Sequence, residues 1–157
     1  GAAPVHERIV AARRLIDRGY RVGFHFDPLL YYPGWEKGYR EVIGLLGQHI
    51  PPQAIAWISI GSLRYMPHLK KVGQRRFSGT KIFSGEFIPG IDGKMRYLQD
   101  LRIEMYTQIV RWLRDYSQDV FIYFCMESEH VWQRALGFAP SSNSELKKLL
   151  EERTEVV

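Results

Sequence analysis

Two kinds of hydrophobic spacing alternate along this chain. Dense apolar runs, rich in β-branched and aromatic residues, occur at residues 22–26, 54–60 and 120–126, and each predicts a buried strand. Apolar residues that recur every three or four positions predict helices over residues 7–18, 35–48, 99–116, 129–136 and 144–152. Because strands that alternate with helices form parallel βαβ units, the pattern predicts an α/β fold with a parallel sheet.

Three further segments have less regular patterns. Residues 81–88 predict another strand, interrupted by a glycine. Residues 63–73 are polar and basic, and Pro67 is a suitable first residue for one short helix. The dipeptide Asp27-Pro28 predicts that the first strand ends at Asp27, because proline cannot donate a hydrogen bond to a sheet ladder.

Composition narrows the class of protein. With 157 residues, 45% of them hydrophobic, and no low-complexity linker, residues 1–157 are predicted to form a single domain. The one cysteine, Cys125, excludes an internal disulfide and lies within an apolar run, so we expect a buried structural thiol. The chain has neither an apolar run long enough to span a membrane nor a signal peptide, which predicts a soluble, cytoplasmic protein.

The charge balance indicates an anionic partner. Lysine and arginine number 22 against 17 aspartates and glutamates, a formal net charge of +5. Cations cluster between Arg64 and Arg76, and Arg75 and Arg76 directly precede Phe77. Cations interleaved with an aromatic ring suit phosphate and base binding, so one interpretation is a non-catalytic basic nucleic-acid-binding module. The alternative is a basic loop that is merely solvated.

Polar residues lie where the predicted strands end, which is where α/β proteins bind ligands. These residues are His25, Asp27, Ser59, Arg64, Glu86 and Glu127. His25 and Asp27 are two positions apart and therefore project from the same side of one strand. Together with Glu127 they offer the nitrogen and carboxylate ligands of a metal-dependent barrel hydrolase, while a hydrogen-bonded polar pair without metal is the alternative.

One stretch resembles a known family. Residues 19–39 are similar to the segment of the spore photoproduct lyase family, DNA repair photolyases of the radical S-adenosylmethionine type, that has glycine-tyrosine, an apolar strand, proline, glycine-tryptophan and a spaced tyrosine. The matching residues are Gly19, Tyr20, Val22, Gly23, Phe24, Pro28, Gly34, Trp35 and Tyr39. The order continues with an arginine at Arg64 and with Gly93-Lys94 and Tyr97, which resemble the family's glycine-lysine-x-x-tyrosine.

The resemblance implies an incomplete (β/α)6 barrel of the TIM type. In such enzymes a [4Fe–4S] cluster cleaves S-adenosylmethionine to a radical that reverses a thymine photolesion in DNA. The adenosyl cofactor is expected near His25, Asp27 and Pro28. The residues expected to bind substrate are Arg64, Arg75, Arg76, Lys94 and Tyr97, and no catalytic residue is assigned.

The chain also departs from the family pattern. The CxxxCxxC loop that binds the cluster and the hydrogen-donating cysteine are absent, and Cys125 matches neither. An arginine-tyrosine pair of the characterised lyases aligns with Pro89 and Gly90, and His25 and Asp27 replace apolar residues, which suggests a related branch with another substrate. The resemblance is therefore to the carboxyl-terminal half alone, and we expect this chain to be inactive by itself and to bind no cluster or cofactor.

The partners follow from the same interpretation. We expect weak, electrostatic binding to DNA and an association with the missing amino-terminal half of the barrel, and no membrane. Without that half, the strand at residues 22–26 leaves an uncovered edge. Unpaired backbone groups at an edge are a template for pairing, so self-association into a homo-oligomer is expected.

Overall fold

A computed structural model describes residues 2–154 of the chain. Its helices and strands, in order, are α1 (Val5–Ile16), β1 (Val22–Leu29), α2 (Trp35–His49), β2 (Ile55–Ser62), β3 (Arg64–Tyr65), α3 (Pro67–Arg76), β4 (Ile88–Pro89), β5 (Met95–Arg96), α4 (Gln99–Tyr116), β6 (Ile122–Phe124), α5 (Glu129–Leu136) and α6 (Asn143–Thr154). Within these residues, no helix is long and apolar enough to cross a membrane.

The central sheet has three parallel strands in the order β1-β2-β6. The predicted α/β fold with a parallel sheet is therefore confirmed. The register places His25 opposite Ser59, which in turn lies opposite Tyr123. Strand β2 lies in the middle, and its Ile58 and Ile60 are fully buried, as expected for a strand with neighbours on both sides.

Helices α4 and α5 cover one face of this sheet. The Phe124 ring of β6 stacks on Tyr106 of α4 with ring centroids 4.8 Å apart, and it also contacts Trp132 of α5. The predicted helix at residues 99–116 is confirmed with its bounds, because its apolar stripe is long and regular. The packing of α2 on α4 brings Trp35 within 6.2 Å of Trp112, measured between ring centroids.

Two predicted strand ends are wrong. Strand β1 does not end at Asp27 but continues through a cis Asp27-Pro28 peptide to Leu29. Strand β1 lies at an edge of the sheet. A proline is tolerated in an edge strand because it has a neighbouring strand on one side only, so the missing N–H need not break a ladder. Strand β6 covers only Ile122–Phe124, and Met126 has a left-handed backbone (φ 58°) that no longer follows the strand.

The strand predicted at residues 81–88 is also wrong. Most of this segment forms turns, and only Ile88–Pro89 pairs, antiparallel to Met95–Arg96, in a small second sheet of order β3-β5-β4. Its apolar residues Phe83 and Phe87 pack around the Tyr65 ring instead of entering the central sheet. Glu86 is consequently exposed and does not lie at a strand end.

The basic segment between β3 and β4 is a helix. The start predicted at Pro67 is confirmed, and α3 extends to Arg76, so the residues interpreted as a basic loop are mostly helical. None of the α3 residues is buried, and none of them is acidic. The helix therefore presents its cations to solvent.

Candidate nucleic-acid and cofactor site

The face of the central sheet opposite α4 and α5, here called the open face, carries the polar residues. On this face His25 Nδ1 lies 2.6 Å from Ser59 Oγ, and the His25 ring meets the Trp57 ring edge-on at 4.9 Å. His25 is exposed, whereas Ser59 is buried beneath it. Burial raises the pKa of Tyr123, the next residue in this row.

Asp27 lies on the same face as His25, as the spacing predicted. Its carboxylate packs on Gly61, where an added Cβ would come within 2.8 Å of Asp27 Oδ2. A glycine at position 61 of β2 therefore makes room for this carboxylate. The Asp27 Oδ2 atom accepts a hydrogen bond from Arg64 Nη2 at 3.4 Å.

Arg64 joins three segments at the carboxyl edge of the sheet. Besides Asp27, its guanidinium donates to the Cys125 carbonyl oxygen and to Cys125 Sγ, both at 3.3 Å. Burial disfavours the charged guanidinium, but the Asp27 carboxylate and Cys125 more than offset this and raise the pKa of Arg64 above its usual value. Arg64 is therefore a fixed cation. The thiol of Cys125 is only partly buried and contacts Arg64, so its predicted burial is wrong.

A groove of about 280 Å³ runs along this edge and is called the edge groove below. The groove brings together two residues predicted to bind the cofactor, Asp27 and Pro28, and two predicted to bind substrate, Arg64 and Lys94. The sequence alone could not establish that these two groups are adjacent. Its lining residues are Asp27, Pro28, Leu63, Arg64, Tyr65, Met66, Leu69 and Lys94. The groove therefore holds two cations, one carboxylate and an apolar wall.

The other predicted substrate residues lie elsewhere. Arg75 and Arg76 are exposed in the last turn of α3, where the Arg76 guanidinium lies 5.7 Å from the Phe77 ring centroid. Tyr97 is 2% exposed, and its hydroxyl accepts a hydrogen bond from the Tyr31 backbone N–H at 3.1 Å. A role for these three residues in substrate binding stays a prediction.

The structure contradicts the metal-dependent hydrolase. Glu127 does not join His25 and Asp27, because its carboxylate is buried against Arg102 at 3.0 Å and accepts a hydrogen bond from the Tyr106 hydroxyl at 2.6 Å. Among residues 2–154, no three histidine, cysteine, aspartate or glutamate side chains come together in a group that could hold a metal ion.

This buried cluster is a structural feature that the sequence pattern did not indicate. Arg102 also donates to the Tyr97 carbonyl oxygen, and Tyr106 accepts from the Ser62 N–H at 2.7 Å. The cluster thus ties the ends of β2 and β6 to α4, directly behind the edge groove. Burial first, and the Glu127 charge second, raise the pKa of Tyr106 far above its usual value, so it donates at any ordinary pH.

The residues present do not fit an iron–sulfur cluster. Such clusters are held by several cysteine thiolates, and Cys125 is the one cysteine of this chain. Its sulfur, moreover, is hydrogen-bonded to Arg64.

The parallel sheet and its helices define an α/β protein, a class in which ligands bind at the carboxyl ends of the strands. Solved structures with the same fold include a spore photoproduct lyase mutant with bound AdoMet and dinucleoside spore photoproduct (TM-score 0.71) and a spore photoproduct lyase complexed with dinucleoside spore photoproduct (TM-score 0.69). Each is 22% identical to this chain, and each similarity covers 80% of this chain and 39% of the other.

The sequence comparisons assign the family. The family profile described as spore photoproduct lyase matches residues 1–88, more than half of the chain. The spore photoproduct lyases of Bacillus subtilis (strain 168) and of a Geobacillus species are 30% and 27% identical over 84 residues. This chain belongs to the spore photoproduct lyase family, which confirms the resemblance of residues 19–39. Each alignment covers 52% of this chain but only 25% of the relative, in its carboxyl-terminal part.

Proposed function

We propose that this chain forms the lesion-facing part of a radical S-adenosylmethionine enzyme that repairs a thymine photolesion in DNA. The family membership and the lesion bound in the similar solved structures support this proposal. DNA repair also accords with a site of action in the cytoplasm. The [4Fe–4S] cluster is assigned to a part of the enzyme outside this chain, since Cys125 is the one cysteine here.

The architecture supports a place within an incomplete (β/α)6 barrel. Among the described residues, β1 and β6 each pair on one side only, and the open face carries the exposed His25 and the half-buried Asp27. Two free edges and an uncovered inner face are what a segment of a barrel has when considered alone. The amino-terminal part of such an enzyme would pair with β1.

The observation that supports the function most directly is the edge groove. It places the cations Arg64 and Lys94 beside Asp27 and Pro28 at the carboxyl ends of parallel strands. Arg64 and Lys94 are assigned to the phosphate and the polar edges of the lesion. The His25 ring and the Asp27 carboxylate offer hydrogen-bonding groups for the ribose hydroxyls and ammonium group of S-adenosylmethionine, which supplies the radical chemistry when bound.

A titration with the dinucleoside spore photoproduct tests this assignment. Backbone amide NMR signals of residues around the edge groove are expected to shift, and undamaged thymidine should bind more weakly. The Arg64→Ala, Lys94→Ala double variant is expected to lose the response. Lys37→Ala, Lys147→Ala removes two exposed lysines on α2 and α6 and should retain it. Equal binding of the lesion and of undamaged thymidine would contradict lesion recognition.

A second candidate function is sequence-independent DNA binding without chemistry. It is favoured by α3, which carries Lys70, Lys71, Arg75 and Arg76 on an exposed helix without an acidic residue. Each phosphate neutralised releases condensed counterion, so the affinity should fall steeply with salt. If Arg75→Ala, Arg76→Ala abolishes DNA binding while Arg64→Ala, Lys94→Ala does not, this second function is favoured over lesion recognition.

A further inference from the structure

The loop after β1 exposes an aromatic ring at the carboxyl edge of the sheet. Tyr31 is 49% exposed, whereas its aromatic neighbours Trp35 and Tyr97 are 3% and 2% exposed. Tyr31 is a large apolar surface in water three residues after Pro28, which lines the edge groove. The fold and the site described above give this ring no role.

Hydrogen bonds hold the backbone around Tyr31 in place. The Tyr31 N–H donates to the Tyr97 hydroxyl at 3.1 Å, and the Leu30 N–H donates to the Tyr39 hydroxyl at 2.8 Å. The loop then closes through the Trp35 N–H, which donates to the Tyr32 carbonyl oxygen at 3.0 Å. A ring on a fixed backbone loses little conformational entropy when it binds a ligand.

No aromatic neighbour among the described residues lies face to face with the Tyr31 ring. Trp35 is tilted by 45° at a centroid distance of 6.3 Å, and Tyr97 meets the ring edge-on at 70° and 6.4 Å. In contrast, the Tyr97 and Phe87 rings stack face to face, with centroids 4.7 Å apart and an interplanar angle of 26°. A planar ligand can therefore stack on Tyr31.

Cations line the groove next to this loop. Tyr97, which holds the Tyr31 backbone, follows Lys94 by three residues, a chain distance of at most about 10 Å. Pro28, Arg64 and Lys94 line one groove. Aromatic rings beside backbone-binding cations are the combination by which proteins hold single-stranded nucleic acid.

We propose that Tyr31 is a stacking platform for an unpaired base of DNA whose phosphates are bound in the edge groove. This inference rests on the proposed function, because it takes DNA as the ligand. Every base has a planar face, so the platform accepts any base and does not select sequence. A base must leave the duplex to reach it, so single-stranded or locally unpaired DNA is bound in preference to intact duplex.

The test uses a single-stranded oligodeoxynucleotide that contains 2-aminopurine, whose fluorescence falls when it stacks on a ring. Tyr31→Leu should lose about five- to hundred-fold in affinity together with the quenching, whereas Tyr31→Phe keeps both. The matched control is Tyr20→Leu, because Tyr20 is 63% exposed but lies just before the amino end of β1. Tyr31 is exposed, so thermal unfolding should show all three variants folded.

The outcomes separate this inference from the proposed function. Suppose that Arg64→Ala, Lys94→Ala weakens binding while Tyr31→Leu leaves both affinity and quenching unchanged. The stacking role of Tyr31 is then overturned, and the proposed DNA binding in the edge groove is retained. If neither change affects binding, DNA binding at this edge fails as a whole. If Tyr31→Leu alters self-association but not DNA binding, the ring contacts protein and the inference is overturned.

Discussion

Arg64 Nη2 donates to Asp27 Oδ2 at 3.4 Å across the carboxyl edge of the central sheet. Both side chains are largely buried, 19% and 22% exposed, so the carboxylate offsets much of the charge that Arg64 would otherwise present to a phosphate. Asp27 thus orients the cation and weakens its field at the same time.

We therefore expect Asp27→Asn to tighten DNA binding. The change leaves Arg64 uncompensated, so the affinity for single-stranded DNA should rise several-fold and its dependence on salt should steepen by about one phosphate contact. Binding isotherms at two ionic strengths measure both effects. Asp17→Asn makes the same charge change in the exposed Arg13–Asp17 pair of α1 and should have little effect. Weaker binding by Asp27→Asn would show that Asp27 contributes more by orienting Arg64 than it costs by weakening the electrostatic field of Arg64.

The buried pair of Arg102 and Glu127 should dominate the stability of this edge. Their side chains are 6% and 5% exposed, and Glu127→Gln leaves a buried guanidinium without its carboxylate. Breaking such a pair costs about 3–5 kcal/mol in the free energy of unfolding. Urea denaturation measures it. The exposed Arg13–Asp17 pair serves as control, since Asp17→Asn should cost at most about 1 kcal/mol. A loss below 1 kcal/mol for Glu127→Gln would show that the pair is replaceable.

Sequence patterns predicted the elements whose signals are local. The helix at residues 99–116 has a regular stripe, and the family could be identified because nine matching residues keep their order within residues 19–39. The prediction of a strand at residues 81–88 was wrong because Phe83 and Phe87 pack around Tyr65. These residues lie far from Tyr65 in the sequence, so no local pattern indicates the contact.

The site was predictable only in part, for the same reason. His25 and Asp27 share a face because alternation along a strand is local. Glu127, which the sequence offers as a metal ligand, instead pairs in the core with Arg102, 25 positions away. Pairings of this kind arise from tertiary packing and leave no periodic signal.

Stability should fall at alkaline pH through Tyr116. Burial raises the pKa of Tyr116 to about 12, and its hydroxyl donates to the Ile50 carbonyl oxygen at 2.6 Å. A tyrosine whose pKa is higher in the folded state contributes its stability fully below the unfolded value near 10, and loses it as pH rises toward 12. Urea midpoints from pH 8 to pH 12 should therefore decline, and Tyr116→Phe should flatten the decline. An unchanged slope in that variant would assign the effect to other groups.

Self-association is expected at the free edge of β1. Among the described residues, β1 pairs with β2 alone, and a cavity of about 720 Å³ between β1, α1 and α2 has a mostly apolar lining that includes Phe24 and Ile9. Light scattering over a concentration series should show mass growing with concentration, and Phe24→Lys should suppress it while circular dichroism shows a folded chain. Val72→Lys, an exposed apolar-to-lysine change on α3, is the control. A monomer at every concentration would show that the free edge of β1 does not mediate self-association.

The central claim is that this chain is the lesion-facing part of a radical S-adenosylmethionine repair enzyme. The most direct measurement is a repair assay of the complete gene product, expressed from the full reading frame that encodes these residues and prepared anaerobically with its cofactors. Thymidine released from the dinucleoside spore photoproduct is quantified by chromatography. We expect repair by the wild type, loss of repair in the Arg64→Ala, Lys94→Ala variant, and retained repair in the Lys37→Ala, Lys147→Ala variant. A full reading frame without the three-cysteine loop, or a cluster-loaded protein that leaves the lesion intact, would contradict it.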